Sequence, residues 1–273
     1  MATFENFPPM ISALMCTYGR FKCVERALNC FIYQQYPTKE LIIYNTDEEH
    51  PYNIRDLKKY NIQVVNNNID YETGLPYTNV GAIRRDAIRH ATGEYVITWD
   101  DDDIYLPHFM AQAILRMEQT GLPSFKPEMS FFYSGNNLRL VRNTLEASIV
   151  AKKSKVIEYG YLLETGKEGL GWYTKMRDNK ELNEHDKHYI PAYCFNWNDG
   201  DIMDAPHKQS GDIDNPENFE NHKKRSLDRV NGRCLQEWDV EKMQECYKPY
   251  FEFLSKTKGD YPEELVKKFN FWE

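Results

Sequence analysis

The six cysteines (Cys16, Cys23, Cys30, Cys194, Cys234 and Cys246) include no CxxC pair, so neither a zinc ribbon nor a redox pair has the spacing it needs. No apolar run approaches the ~20 residues that cross a bilayer. The opening, MATFENFPPM, lacks the basic and apolar regions of a signal peptide. Together these absences predict a cytoplasmic chain with no transmembrane segment. Positive charge is also short: a net charge of −8 excludes the usual basic nucleic-acid binder and leaves room only for a local basic patch. There is no internal repeat or low-complexity tract. What is present, in 273 residues, is 41% hydrophobic side chains with five tryptophans and 19 tyrosines. That is enough to bury a sizeable core in one compact unit.

The most informative stretch is Ala91 to Pro107, ATGEYVITWDDDDIYLP. A turn leads into Tyr95–Trp99, β-branched and aromatic and hence strand-like. The run then ends in four consecutive aspartates, Asp100 to Asp103. Carboxylates packed this closely repel, and either some take up protons or a cation offsets them. Hard ions such as Mg²⁺ or Mn²⁺ prefer oxygen ligands. Strand-like alternation predicts that Asp100 and Asp102 face one way, Asp101 and Asp103 the other. A solvated acidic turn is the plainer reading. Against it stands the position at the end of a buried strand, where α/β proteins collect ligands.

Along the chain, Met10–Cys16, Glu40–Tyr44 and Ile62–Val65 read as strands. Apolar periodicity predicts helices over Phe21–Gln35, around Ile54–Tyr60 and over Thr78–His90, the last with Arg84, Arg85 and Arg89 on its other side. A further helix opens at Pro107. Cys23 and Cys30, seven apart, fall on one helix face as buried thiols. Alternating strands and helices through residue 120 predict a doubly wound, mostly parallel sheet. Beyond Gly121, strands are expected at Met129–Tyr133, Leu138–Val141 and Ser148–Lys152. Gly160–Gly211 reads as loop-rich and aromatic, and Gly211–Asn221 as polar. Helices are expected over Val240–Lys256 and from Pro262. This divides the chain into residues 1–120, an acceptor-side and lid region 121–233 of the same domain, and C-terminal helices 234–273.

Three predicted strand ends converge: Cys16-Thr17-Tyr18, Asn45-Thr46-Asp47 and the aspartate run. The first two suit a base and ribose, and the third suits a metal. Arg84 could meet a diphosphate, since guanidinium pairs well with phosphate oxygens. Thr17 and Thr46 as helix caps, and Arg84 as a surface arginine, are the alternatives.

The segment CTYGRFKCVERALNCFIYQQYPTKELIIYN resembles the opening of the family 2 nucleotide-sugar glycosyltransferases, with Thr17, Tyr18, Arg20, Gln35, Tyr36, Pro37 and Glu40–Ile43 on the matching positions. RRDAIRHATGEYVITWDDDDIYLP resembles the second signature of that family, with Arg84 on its arginine and Asp100 and Asp102 on its Asp-x-Asp pair. The resemblance covers about residues 10 to 110. It implies the A-type glycosyltransferase fold, an Mn²⁺ or Mg²⁺ cofactor and a nucleotide-sugar donor, a UDP-sugar above others. It further implies transfer to an acceptor hydroxyl with inversion. By this resemblance Thr17, Tyr18, Arg20, Asn45, Asp47, Arg84, Asp100 and Asp101 contact the donor. Asp100, Asp102 and His207 hold the metal, and Glu168, with Glu164 in reserve, is the base. Three positions depart from the pattern. Gly19 replaces an asparagine, and Asn45-Thr46 stands where the family has Asp-Asp, with Asp47 one step on. Gly169 follows Glu168 where the family has aspartate. Trp172, Tyr173, Tyr193, Phe195 and Trp197 are candidates for stacking on sugar, with core packing expected for at least half.

An EF-hand loop is poorly matched, because Ile104 and Tyr105 follow the aspartates. A haloacid-dehalogenase phosphatase would carry the motif on its first strand. A non-catalytic sugar-nucleotide-binding module on the same fold is the main alternative. For the acceptor, a glycan or glycolipid comes first. A hydroxylated nucleobase in phage-type DNA is the second choice, for which His222, Lys223, Lys224, Arg225, Arg229 and Arg233 would contact phosphates.

Overall fold

The computed structural model describes residues 8–52, 57–134, 137–143, 145–163, 167–186 and 191–197. The C-terminal helices, the 211–221 segment, the basic cluster around His222, Glu164 and His207 lie outside the described residues. Strand β1 (Ile11–Thr17) leads into helix α1 (Phe21–Ile32), followed by β2 (Lys39–Asn45) and β3 (Ile62–Asn66). Helix α2 (Val80–Ala87), β4 (Tyr95–Thr98), the short β5 (Ile104–Tyr105) and α3 (Phe109–Thr120) follow. Then come β6 (Ser124–Phe125), β7 (Met129–Ser134), β8 (Asn137–Arg142), β9 (Val150–Lys152) and α4 (Lys153–Tyr159). Helix α5 (Leu170–Asp178), β10 (Leu182–Asn183) and β11 (Tyr193–Trp197) complete the described fold.

Seven strands form the main sheet, in the order β10-β6-β9-β4-β1-β2-β3. β4, β1, β2 and β3 are mutually parallel, while β9 runs antiparallel between β4 and β6. The mostly parallel sheet expected from the sequence is present, with one reversal that no residue periodicity could disclose. Residues past 120 supply β6, β9 and β10 to this sheet. Leu41–Tyr44 and Ala13–Met15 are buried on both faces, as continuous apolar runs in a covered parallel sheet must be. On α1, Cys23, Val24, Ala27, Cys30 and Phe31 face inward, and both cysteines are free thiols. A second sheet, β5-β11-β7-β8, brings β11 against the segment just after the aspartates.

Two expectations are corrected. The 160–211 stretch is not all loop, because it holds α5, β10 and β11. Its glycines suggest a turn, but Gly171 is required by packing: a Cβ there would lie 2.8 Å from the Gly160 carbonyl oxygen. Trp172 and Met176, four apart, bury one face of α5. The helix after Pro107 begins at Phe109, with Gly121 at φ 69° ending it.

Candidate functional site

β4 ends at Thr98, and the aspartates form a turn beyond it. The expected alternation is kept in a different geometry. Asp101 and Asp103 are 1% and 0% exposed, whereas the Asp100 and Asp102 side chains are 29% and 25% exposed. Each buried member has dedicated donors. The Thr17 hydroxyl donates to Asp101 at 2.6 Å, and Arg20 ion-pairs with both Asp101 and, at 3.0 Å, Asp102. Tyr193 donates its hydroxyl to Asp103, and the Asn196 amide donates to the other oxygen at 3.0 Å. Arg26 and the Asn196 carboxamide both hold the Asp102 carbonyl, at 2.7 and 2.9 Å. Thr17 and Arg20 therefore brace the acid turn; Arg20 is the N-cap residue of α1 but its side chain makes no capping hydrogen bond. The indole of Trp99 stacks on Tyr105 at 3.8 Å, and the Tyr105 hydroxyl accepts the Asp100 amide at 3.0 Å. This anchors the turn to the core.

Arg84 is the hub of the second half of the site. Delivered by α2 and 6% exposed, its Nη2 donates to Asp100 at 2.9 Å and its Nη1 to Glu146 at 2.9 Å. The same Nη1 lies 2.9 Å from Glu168 Oε1. Glu168 is buried, and its Oε2 has no hydrogen-bond partner. Such an orphan is uncommon in a folded chain and calls for a reason. Glu146 was not singled out from the sequence: it precedes β9 in a short 3-10 turn, and 62 residues separate it from Arg84.

The third component is a cavity where β2 and β3 end. About 390 Å³ is lined by Asn45, Thr46, Asp47, Asn66, Asn67 and Asn68 among others. A neighbouring hollow of about 250 Å³ adds Tyr18 and Tyr77. Most of these polar groups are engaged. The Asn45 carboxamide donates to Asp47 and His50 carbonyls and to Asn66. Asp47 accepts from the Glu49 and His50 amides and from the His50 ring, and so folds onto its own turn. Its carboxylate also fills the space a side chain at Gly19 would take, and Gly19 has φ 62°. That accounts for glycine there. Thr46 differs from the rest: it is buried, lines both hollows, and its Oγ1 has no partner. The Thr46 amide donates to the Thr17 carbonyl at 3.1 Å, a backbone bond that links the cavity to the acid corner.

Six carboxylates (Asp100–Asp103, Glu146, Glu168) meet three guanidinium groups (Arg20, Arg26, Arg84) here, and the imbalance appears in the protonation. Burial pushes Asp101 up to about 7 against the pull of Arg20. It pushes Asp103 well above the ordinary carboxylate range, with Asp102 and Asp100 adding repulsion. Asp100 is raised by burial, while Arg84 draws it back. Burial likewise raises Glu146, opposed by Arg84. Among the described residues, no three His, Cys, Asp or Glu side chains converge closely enough to hold an ion alone. The chemistry still fits a hard divalent cation. Asp100 and Asp102 are the two partly open carboxylates, and Mg²⁺-like ions commonly take one or two carboxylates plus water and substrate phosphate.

Of the aromatic candidates, Trp172 and Tyr193 are core residues, at 3% and 0% exposure. Phe195 packs on Phe132, and Tyr173 is partly buried against the α5 cluster. Among the described residues no helix is long and apolar enough to cross a membrane.

The family model described as "Glycosyl transferase family 2" matches residues 12–139. No curated protein matches the sequence. Among solved structures, S. aureus TarS is similar with a TM-score of 0.55 at 14% identity, over 69% of this chain and 37% of that one. TarS 1–349 in complex with UDP-GlcNAc gives 0.54 at 15% identity, over 89% of this chain and 73% of that one. The complex with UDP gives 0.51 at 14% identity, over 69% and 60%. The chain thus spans well under two thirds of full TarS. Residues 12–139 are thus similar to glycosyl transferase family 2, and the fold is the A-type glycosyltransferase fold.

Proposed function

We propose that this chain transfers a sugar from a nucleoside diphosphate donor, a UDP-sugar, to an acceptor hydroxyl with inversion at the anomeric carbon. The observation that carries the proposal is the contiguity of three features: the half-open Asp100 and Asp102, the Arg84–Glu168 pair beside them, and the Thr46 cavity joined to Thr17 by a backbone hydrogen bond. TarS, the structural relative, is described in complexes with UDP and UDP-GlcNAc. The cavity would take the nucleobase and ribose, with Tyr18 and Thr46 as its polar contacts and Asn45 and Asp47 as its frame. Asp100 and Asp102 would hold Mn²⁺ or Mg²⁺, joined by His207 from outside the described residues. When bound, the ion supplies charge stabilisation to the departing diphosphate.

The residues of the chain have separable tasks. Thr17 and Arg20 keep Asp101 and Asp102 in place, so the open carboxylates are presented without rearrangement. Arg84 sets Asp100 and Glu168 on one rigid fork. Glu168 offers its unpartnered Oε2 to the acceptor hydroxyl and takes its proton as the hydroxyl oxygen attacks, a contribution of typically 10²–10⁴-fold. A module that only binds sugar nucleotides would have no use for a buried carboxylate oxygen left free. The acceptor class we favour is a glycan or glycolipid. Four free thiols among the described residues accord with a cytoplasmic location.

The test is a screen of nucleotide sugars with Mn²⁺, scoring release of free nucleotide by wild type and by Asp102→Ala. Release by the wild type that the variant loses supports the reading. No release from any donor, or equal release by both, overturns it.

A further inference from the structure

Position 169 has a backbone that admits any residue, at φ −78°, but a side chain there would have to displace the Glu146 carboxylate. A Cβ on Gly169 would overlap the Glu146 carboxylate. Glu146 fills that space from a distant segment, on a turn that is itself braced. Asn143 accepts the Leu145 amide at 3.0 Å and donates to the Ser148 hydroxyl at 2.6 Å, and that hydroxyl donates to the Leu145 carbonyl at 2.8 Å. The carboxylate then binds both sides of the Glu168 corner. It accepts the Gly169 amide at 3.1 Å and Arg84 Nη1 at 2.9 Å. Arg84 Nη1 is aligned on Glu146, whereas Glu168 Oε1 lies at ion-pair distance from the same nitrogen and Oε2 stays without a partner.

We infer that Glu146 is a positioning residue for Glu168, engaging Arg84 and the Gly169 amide so that Glu168 keeps one carboxylate oxygen free for the acceptor. The inference rests on the glycosyltransferase reading, but its geometry can be tested separately. Without Glu146, Arg84 Nη1 turns to Glu168 and the guanidinium closes on both its oxygens, since a fork-on-fork pair is the preferred arrangement of these groups. Glu168 then remains present but occupied. Glutamine at 146 keeps an oxygen in the same place and preserves the arrangement. Aspartate at 169 becomes sterically admissible once residue 146 is alanine, and it returns a carboxylate to the vacated space.

The experiment measures UDP release from UDP-GlcNAc with Mn²⁺ for variants at positions 146 and 169, with Glu168→Ala as the reference for loss of the base, alongside crystal structures. Glu146→Ala should lower kcat ~10–100-fold, the range for groups that orient a catalytic residue, with KM for the donor within about threefold. Glu146→Gln should stay within about threefold of wild type, because both hydrogen bonds survive. Gly169→Asp alone should be impaired, and Glu146→Ala/Gly169→Asp should recover about tenfold over Glu146→Ala. In the Glu146→Ala crystal, Glu168 should pair with Arg84 through both oxygens. Wild-type kcat in Glu146→Ala, no recovery in the double variant, or an unmoved Glu168 overturns the inference. If Glu146→Ala does not fold, Glu146→Gln decides, and a loss as deep as that of Glu168→Ala refutes the assignment. A wild type that releases no nucleotide would instead sink the donor reading. Whatever the activity, amide exchange at Gly169 should be faster in Glu146→Ala than in wild type and Glu146→Gln, and equal exchange in all three overturns the contact.

Discussion

Stability without divalent cation should fall as pH rises toward and through neutrality, and Asp101 is one of the groups responsible. It is enclosed among Thr17, Arg20 and three neighbouring aspartates, and burial carries it from 3.8 to about 7 in the folded chain. Because the folded value lies above the unfolded one, the bound proton stabilises the fold. That contribution is whole below about pH 4 and is lost as pH passes about 7. At about 1.4 kcal/mol per pH unit, the interval corresponds to a ceiling of ~4 kcal/mol. This is a large share of the ~5–15 kcal/mol that holds a domain together. Asp101→Asn keeps an oxygen for the Thr17 hydroxyl and removes the titration. Urea midpoints measured with chelator from about pH 5 to about pH 8 should decline more steeply for wild type than for the variant, in which Asp100, Asp103 and Glu146 remain raised. Added Mn²⁺ should restore the wild type at the alkaline end. Parallel profiles for the two proteins would refute this account of the corner.

Three further outcomes are expected. Asp86, in α2, is pushed up by burial but held below the ordinary carboxylate value by Arg85, the Tyr71 amide and the Tyr77 hydroxyl. Its contribution is present above the ordinary carboxylate value and lost as pH falls through the lower folded one. Asp86→Asn should therefore cost about 1–3 kcal/mol near neutral pH, with the gap in thermal midpoint closing as pH falls below the ordinary carboxylate range. Tyr193→Phe removes a donor from buried Asp103 and should destabilise by about 1–3 kcal/mol in urea titrations. The Asn196 amide remains as partner. Thr46→Val deletes the partnerless hydroxyl of the cavity and should weaken UDP binding roughly 3–10-fold by calorimetry while leaving stability level. An unchanged affinity would remove Thr46 from the nucleobase contacts.

The elements that carry the sheet were legible because their signals are local. Leu41–Tyr44 is a short apolar run that only a buried strand explains, and α1 repeats its apolar face every three to four residues. Helix α5 was hidden because Gly169 and Gly171 look like turn residues, when both are small to admit another part of the chain. The aspartate turn was found, and its burial alternates as a strand would. The partners of that turn could not be read in the same way. Arg26, Tyr193 and Asn196 reach it across 76, 90 and 94 residues, and no pattern in sequence marks such contacts. Asp47 shows the opposite case. Its place invites a ribose contact, but the nearer His50 and Glu49 amides and the space left by Gly19 turn it inward.

The central claim is that Asp100 and Asp102, with a divalent cation, grip the diphosphate of an activated sugar. The most direct measurement is calorimetric titration of UDP into wild type and Asp102→Ala, each with and without Mn²⁺. Binding by the wild type that needs Mn²⁺, and that weakens at least ~10-fold in the variant, is the result expected. Equal binding by both proteins with or without the ion would contradict the claim.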